Sequence, residues 1–137
     1  MLTIDRTARA LVTAAPGRCL DRLSDVEAYP SWASLIRRAE VVGERVRLRA
    51  ELLGLPFEMD CTLEVGPDRA VLRRLPYDPG DDERYEATWT VTEAAGGADV
   101  ELHVVAAIDA PGPARLLRGR VERRMVDDLL EDFARSL

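Results

Sequence analysis

The sequence predicts an α+β fold in which a curved antiparallel sheet of six or seven strands wraps around a long C-terminal helix, with two short helices after the first strand. Two observations carry this prediction. From residue 37 to residue 109, apolar and polar residues alternate almost throughout, which is typical of antiparallel strands with one covered side. Residues 114–137 instead repeat their apolar positions at helical spacing, so this segment is expected to cover the sheet.

The N-terminal part predicts one strand and then the two short helices. Residues 2–12 alternate, and Arg6 interrupts their apolar face, which a position at an edge or end of the sheet would explain. Pro16 is suited to the start of the first helix. Asp25 is expected to cap the second helix, which Pro30 breaks or restarts.

The central region predicts the other strands, separated by turn sequences such as "GPDR" and "AAGGA". The clearest stretches are "RVRLRAELL", "FEMDCTLEV", "AVLRRLP", "YEATWTV" and "ADVELHVVAAI". After "PGP", the apolar face of the predicted C-terminal helix comprises Leu117, Val121, Met125, Val126, Leu129, Leu130 and Phe133.

Length, charge and composition narrow the class of protein. The 137 residues fit one domain spanning 1–137. A net charge of -6 argues against a surface that binds nucleic acid or anionic membranes. The sequence has no lysine, which excludes a mechanism that forms a Schiff base with a lysine side chain. The charged start does not resemble a signal peptide, and no apolar run approaches the ~20 residues of a membrane span. With Cys19 and Cys61 far apart, we expect reduced thiols and a cytoplasmic protein.

The predicted architecture leaves room for a pocket. A helix is about 10 Å wide, whereas six or seven strands about 4.8 Å apart form a much broader sheet, so a gap can remain between them. Tyr29 and Trp32, in "SDVEAYPSWASLI", fall where the wall or lid of that gap should lie. The alternative is that both rings fill one end of the core, and the pattern alone leaves both interpretations open.

The segment "APGRCLDRLSDVEAYPSWASLIRRAEVV" resembles the opening of START-like, helix-grip domains of the SRPBCC superfamily, which includes polyketide cyclases, coenzyme Q-binding proteins and lipid-transfer domains. The shared pattern is an alanine-proline turn, a short helix and an acidic segment of the form "D-x-E-x-[YW]-P-x-[WF]", here with Asp25, Glu27, Tyr29, Pro30 and Trp32. "TWTV", a glycine-rich hairpin and the final helix after "PGP" extend the resemblance over nearly the whole chain.

The resemblance implies a helix-grip fold and a cavity for a hydrophobic ligand, and it suggests aldol closure and dehydration of a polyketide. The cyclases that this segment resembles carry an arginine on the mid-sheet strand, and Leu63 occupies the matching position here. A tyrosine that they often have after the Tyr-Pro-x-Trp helix would fall near Ile36. These differences leave an unusually apolar cavity. The residues expected to bind the ligand are Tyr29, Trp32, Ile36, Leu48, Phe57, Met59, Cys61, Leu63, Tyr85, Trp89, Leu102, Val121 and Met125.

Few polar side chains are candidates for chemistry in this cavity. Arg73 and Arg74 are adjacent and face opposite ways, so one of them leans toward the apolar side, where it could hold an enolate or a carboxylate. The single histidine, His103, falls on the outer face by alternation. The acidic loop "PYDPGDDERY" is expected to be a flexible turn, with Tyr77 and Tyr85 at the mouth of the cavity.

Three functions remain open on the sequence. The protein could be a cofactor-free cyclase or dehydratase of polyketide or other specialised metabolism, or a non-catalytic carrier of a lipid, quinone or aromatic metabolite. It could also be a regulatory module with a filled cavity that acts through the arginine-rich surface of "RLLRGRVERR". A zinc site, a hydrolase triad and a phosphate loop lack their residues, so we expect no metal, no cofactor and no nucleic acid, in a monomer or homodimer.

Overall fold

The computed structural model describes residues Met1 to Leu137, and its main element is a seven-stranded sheet in the order β1-β7-β6-β5-β4-β3-β2. All neighbouring strands are antiparallel. The strands are β1 (Leu2–Val12), β2 (Ile36–Val42), β3 (Arg45–Leu52), β4 (Leu55–Val65), β5 (Arg69–Arg74), β6 (Arg84–Ala94) and β7 (Gly97–Ile108). The predicted α+β class is confirmed, with the larger of the two expected strand numbers.

The strands from β2 onward form a continuous meander, and β1 then pairs with β7 to form one edge. The turn between β3 and β4 is distinctive in conformation, because Leu53 and Gly54 both have positive φ, at 50° and 82°. Two successive residues of this kind match the twist of an antiparallel hairpin. This turn sets the register in which Leu52 lies opposite Leu55.

The connection between β1 and β2 contains the two predicted short helices, α1 (Pro16–Ser24) and α2 (Tyr29–Trp32), with a 3₁₀ turn at Val26–Ala28 between them. The prediction that Asp25 caps the second helix is wrong, because its side chain makes no capping hydrogen bond. The backbone N–H of Asp25 instead donates to the carbonyl of Asp21, so this residue ends α1.

The C-terminal segment consists of α3 (Gly112–Arg115), α4 (Arg118–Glu122), a π-helical turn (Arg123–Asp127) and α5 (Asp128–Ser136). The last three are continuous and form one helix, residues 118–136, called here the C-terminal helix. The prediction that Leu117 lies on its buried face is wrong. Leu117 precedes the helix and is 37% exposed, because the helical backbone is interrupted between α3 and α4.

The core lies between the inner face of the sheet and the C-terminal helix. Alternate residues of β7 are almost fully buried, and so are Val126, Leu129, Leu130 and Phe133 of the helix. Arg6 lies on the edge strand, as its interruption of the apolar face suggested, and pairs with Asp127 of the π turn. None of the helices has both the length and the apolar composition that a membrane-spanning helix needs.

Candidate functional site

An apolar cavity of about 110 Å³ lies between the sheet and the C-terminal helix. It occupies the end of the sheet where β3, β5 and β7 end and where β4 and β6 begin, because the helix covers the broad sheet only in part. Its apolar wall is formed by Leu35, Ile36, Leu48, Ala50, Leu52, Phe57, Met59, Leu72, Ala107, Ile108 and Met125. A void of this size is comparable with one that admits a single benzene ring.

One side of the cavity is polar. The residues of this side come from the end of β5, the start of β4, the start of β6 and the loop between β5 and β6, and they are Glu58, Arg74, Tyr77, Glu83, Arg84 and Tyr85. The apolar residues would exclude water from a bound molecule, and the polar side would fix its orientation. This division is typical of sites for small molecules.

Arg74 is the best-held polar group of the site, with a side chain only 7% exposed. Its Nη1 donates to the backbone carbonyl of Glu83 at 2.8 Å, and its Nη2 donates to Oδ2 of Asp81 at 2.7 Å. The centroid of the Tyr77 ring lies 5.0 Å from its Cζ, as in a cation–π contact. The loop between β5 and β6 is therefore fastened around this guanidinium, in contrast to the flexible turn that its proline and acidic residues suggested.

The carboxylate of Asp81 is held in its ionised form. It accepts hydrogen bonds from Arg74 and from the backbone N–H groups of Tyr77 and Glu83. The hydrogen bond from Arg74 is the main reason that the pKa of Asp81 falls to about 2. At neutral pH, the positive charge of Arg74 is therefore always paired with the negative charge of Asp81.

Tyr85 supplies the other polar group that faces the cavity. Its ring is half-buried on the inner side of β6, and its hydroxyl takes part in none of the side-chain hydrogen bonds of the protein. Burial raises the pKa of this phenol, with a further contribution from Cys61. The hydroxyl therefore stays neutral over the physiological range and can donate a hydrogen bond to a ligand.

A second, much smaller void of about 20 Å³ adjoins the cavity. The two share Leu52, Phe57 and Ile108 as lining residues, while Val121 lines only the smaller one. Phe57 and its neighbours thus form a partition between the two spaces, and a change at this ring would join them.

The tryptophans lie in a packed aromatic cluster instead of in the cavity wall. The Trp32 ring is 5.1 Å from Tyr29, 6.3 Å from Trp89 and 5.4 Å from Phe133, measured between centroids. The Tyr29 hydroxyl donates to the carbonyl of Leu23, and the Trp32 indole nitrogen is buried without a partner. Of the two interpretations of Tyr29 and Trp32, the structure matches the one in which they fill an end of the core.

The remaining predicted ligand residues divide into two groups. Ile36, Leu48, Phe57, Met59, Tyr85 and Met125 all line the cavity. Cys61, Leu63 and Leu102 share the inner face but do not line it. Cys61 and Leu102 are fully buried, and burial raises the pKa of the Cys61 thiol to about 12, so this thiol is a packing group.

The two adjacent arginines of β5 differ in their surroundings. Arg74 shares the inner face with Ala70 and Leu72, whereas Arg73 is exposed and donates to Glu86 on the outer side. His103 also faces outward, with its Nε2 2.7 Å from Oδ1 of Asp5.

Several lining residues are not among the ligand-binding residues that the sequence predicts. Ala50, Leu52, Leu72 and Ile108 occupy the same inward alternation as the named residues, so the pattern contained a signal for them. No such signal marked the loop acids that hold Arg74, because their pairing depends on how the loop folds back. The structure brings no three His, Cys, Asp or Glu side chains together as ligands for a metal ion.

The fold is similar to several solved structures. A protein of Thermus thermophilus, TTHA0849, is 24% identical with a TM-score of 0.78, covering 96% of this chain and 95% of that one. The Zhui aromatase/cyclase of Streptomyces sp. R1128 is 18% identical with a TM-score of 0.77, covering 98% and 93%. A STAR-related lipid transfer protein of Xanthomonas axonopodis is 18% identical with a TM-score of 0.72, covering 95% and 83%.

Identities this low establish the shared helix-grip fold and nothing about activity. None of the curated proteins matches the sequence. The family model described as "Polyketide cyclase / dehydrase and lipid transport" matches residues 12–134, which is most of the chain. The resemblance inferred from the sequence is thereby confirmed, and the chain belongs to the polyketide cyclase/dehydrase and lipid transport family.

Proposed function

We propose that this protein binds a hydrophobic or aromatic small molecule in the cavity between its sheet and its C-terminal helix. The observation that carries the proposal is the combination of an apolar wall with one polar side containing Arg74 and Tyr85. Membership of a family of cyclases and lipid carriers supports a ligand of this kind. The cavity also argues against a regulatory module with a filled core.

Between the two remaining classes, the geometry favours a carrier or sequestering protein. Arg74 is already bonded to Asp81 and to the Glu83 carbonyl, so it is not free to gain a strong new anionic partner in a transition state. Burial also leaves the Tyr85 phenol neutral, and His103 lies on the opposite face of the sheet.

A cyclase or dehydratase function is the second candidate, and one observation favours it. Tyr85 and Arg74 lie on neighbouring strands at the same wall of the cavity, where their N–H and O–H groups could polarise a ketone oxygen together. Under this hypothesis the protein acts mainly by positioning a reactive chain and excluding water, without a cofactor.

The methionine methyl groups provide a direct test of binding. The chain has three methionines, of which Met59 and Met125 line the cavity and Met1 is exposed at the N-terminus. With ¹³C-methyl-labelled methionine, titration with 1-acetonaphthone, menadione or dodecanol should shift the signals of Met59 and Met125 and leave Met1 unchanged. If no probe moves either cavity signal, the proposal is wrong.

The same titration can separate binding in the cavity from binding elsewhere. Ala50→Phe would place a ring in the void, because Ala50 lines it from β3. We expect this variant to lose the shifts of Met59 and Met125. Ala94→Phe, at the far end of β6 and outside the lining, is the matched control and should keep them.

A further inference from the structure

The charged groups on the polar side of the cavity indicate which charge state of a ligand the cavity prefers. Two carboxylates, those of Asp81 and Glu83, surround the single guanidinium of Arg74, with distances of 2.7 and 3.9 Å from its Nη2. Glu58 and Arg84 also border the cavity, but each alternates with an inward residue of its strand, so their side chains face the outer side of the sheet. The polar side as a whole therefore carries a net charge of about -1 at neutral pH.

This surplus of negative charge is held in place by the fold. Besides its bond to Arg74, Asp81 accepts two backbone N–H groups, and Glu83 accepts the backbone N–H of Asp109 through Oε2. Neither carboxylate can therefore turn away from the site without losing a hydrogen bond. A ligand carboxylate placed beside Arg74 would meet both of them in a partly buried setting, where like charges repel strongly.

The hydrogen-bond donors that remain available to a ligand favour an uncharged acceptor. The Tyr85 hydroxyl is neutral and unpaired within the protein, and a guanidinium has five N–H groups, of which the two hydrogen bonds of Arg74 use two. These groups suit an oxygen acceptor that carries no formal charge, such as a ketone, a quinone carbonyl or a phenol. The size of the cavity, about 110 Å³, suits one ring at this position.

We infer that Asp81 and Glu83 are specificity-determining residues, which neutralise Arg74 so that the cavity selects an uncharged aromatic ketone, quinone or phenol and rejects the corresponding carboxylate. The inference rests on the proposed function, since it concerns the ligand of the same cavity. It assigns to the loop between β5 and β6 a role in selection that is separate from the apolar wall.

Two probes with the same ring system test this selection. The dissociation constants of 1-acetonaphthone and 1-naphthoate are measured by isothermal titration calorimetry at pH 7 with the intact protein. We expect the ketone to bind tighter by about tenfold or more. Naphthoate binding that is equal or tighter overturns the inference and leaves the proposed function intact. If neither probe binds, the inference is overturned, and the proposed function is decided by the methionine titration with menadione and dodecanol.

Variants identify the residues responsible. Glu83→Gln alone, and Asp81→Asn together with Glu83→Gln, should each reduce the preference for the ketone, and the double variant should bring the two constants within about threefold of each other. The single variant keeps the hydrogen bond that Arg74 donates to the backbone carbonyl of residue 83, so it tests the inference even where the double variant unfolds the loop.

The matched control removes the same number of charges elsewhere. Glu44 lies in the turn between β2 and β3 and Glu93 near the end of β6, and both are exposed. Glu44→Gln with Glu93→Gln should retain the preference of the unmodified protein. A loss of preference in this control equal to that in the loop variants would mean that net charge, and not the loop acids, sets the selection, which overturns the inference. The loss of ketone binding in Tyr85→Phe, with the fold retained, would further support it.

Discussion

Arg6 of the edge strand β1 and Asp127 of the π turn form a bidentate ion pair across the sheet–helix interface. The Nε of Arg6 donates to Oδ1 at 2.9 Å and its Nη2 to Oδ2 at 2.7 Å. The carboxylate of Glu122, earlier in the helix, lies 3.7 Å from Nη1 of the same guanidinium. Parallel bonds of this kind fix orientation as well as distance, so the pair positions the N-terminal half of the C-terminal helix over the sheet.

Removing this guanidinium should loosen the part of the helix beside the cavity. In Arg6→Ala we expect amide hydrogen exchange of residues 118–127 to accelerate by about a few-fold, while residues 128–136, which are anchored by the buried Phe133, change little. Arg9→Ala is the matched control on the same strand, since its ion pairs are with Asp99 and Glu101 of β7 and not with the helix. Equal acceleration in both variants would show that the pair does not hold the helix.

The aromatic cluster around Trp32 is expected to contribute to the stability of the fold and not to ligand binding. Trp32 is only 9% exposed and contacts the rings of Tyr29, Trp89 and Phe133. Trp32→Ala should therefore lower the free energy of unfolding by about 3–5 kcal/mol, measured by urea denaturation. The affinity of the remaining folded protein for 1-acetonaphthone should change by less than about twofold. A large loss of affinity with stability retained would show that Trp32 faces the ligand after all.

Trp89 and Tyr85, both on β6, show what the alternation of apolar and polar residues can and cannot predict. Alternation places Trp89 on the inner face of β6, which is where the structure has it. It contains no information on where along the strand the C-terminal helix crosses, and this crossing decides which inner residues meet helix side chains and which border a void. Trp89 lies beside Phe133 of α5, whereas Tyr85, earlier on the same strand, borders the cavity.

The details of the C-terminal helix and the loop before β6 were also beyond the sequence pattern. A π turn changes the helical phase by one residue, and the spacing of the apolar residues does not indicate the turn at Arg123–Asp127. The choice between Arg73 and Arg74 stayed open because both faces of β5 carry apolar residues. The acidic residues that bond to Arg74 lie in a loop, and the alternation of apolar and polar residues does not predict the path of a loop.

Phe57 separates the cavity from the smaller void, so its removal should enlarge the site. In Phe57→Ala the two spaces, which share Leu52 and Ile108, would join, and we expect a gain in affinity for probes longer than one ring system, such as 4-phenylacetophenone relative to acetophenone. Because Phe57 is only half-buried, the cost in stability should be below the about 3–5 kcal/mol typical of a buried phenylalanine.

A neighbour on the same strand provides the control for this change. Leu63 lies on the same face of β4 but lines neither void. Leu63→Ala should leave the ratio of the two affinities unchanged, as measured by calorimetry. If Phe57→Ala also leaves the ratio unchanged, the two voids do not form a continuous site.

The adjacent arginines of β5 allow the electrostatics of the site to be tested against pH. The pKa of Asp81 is about 2 in the folded protein, below its value in the unfolded chain, so its pairing with Arg74 stabilises the fold above about pH 4 and this contribution is lost as the pH falls through about 2. Arg74→Ala should therefore destabilise the protein most near neutral pH, and the difference from the unmodified protein should shrink below about pH 4.

Arg73→Ala is the comparison that makes this result specific. Arg73 pairs with Glu86 on the exposed side, where such pairs contribute little. Urea midpoints of the unmodified protein and both variants, measured from pH 7 down to about pH 3, should show a pH-dependent difference for Arg74→Ala alone. A separate NMR titration that follows the carboxyl carbon of Asp81 to below about pH 2 should show its pKa rising in Arg74→Ala, because its main hydrogen-bond donor is gone. An Asp81 pKa that stays at about 2 without Arg74 would mean that the backbone N–H groups of Tyr77 and Glu83 are sufficient to hold the carboxylate in its ionised form.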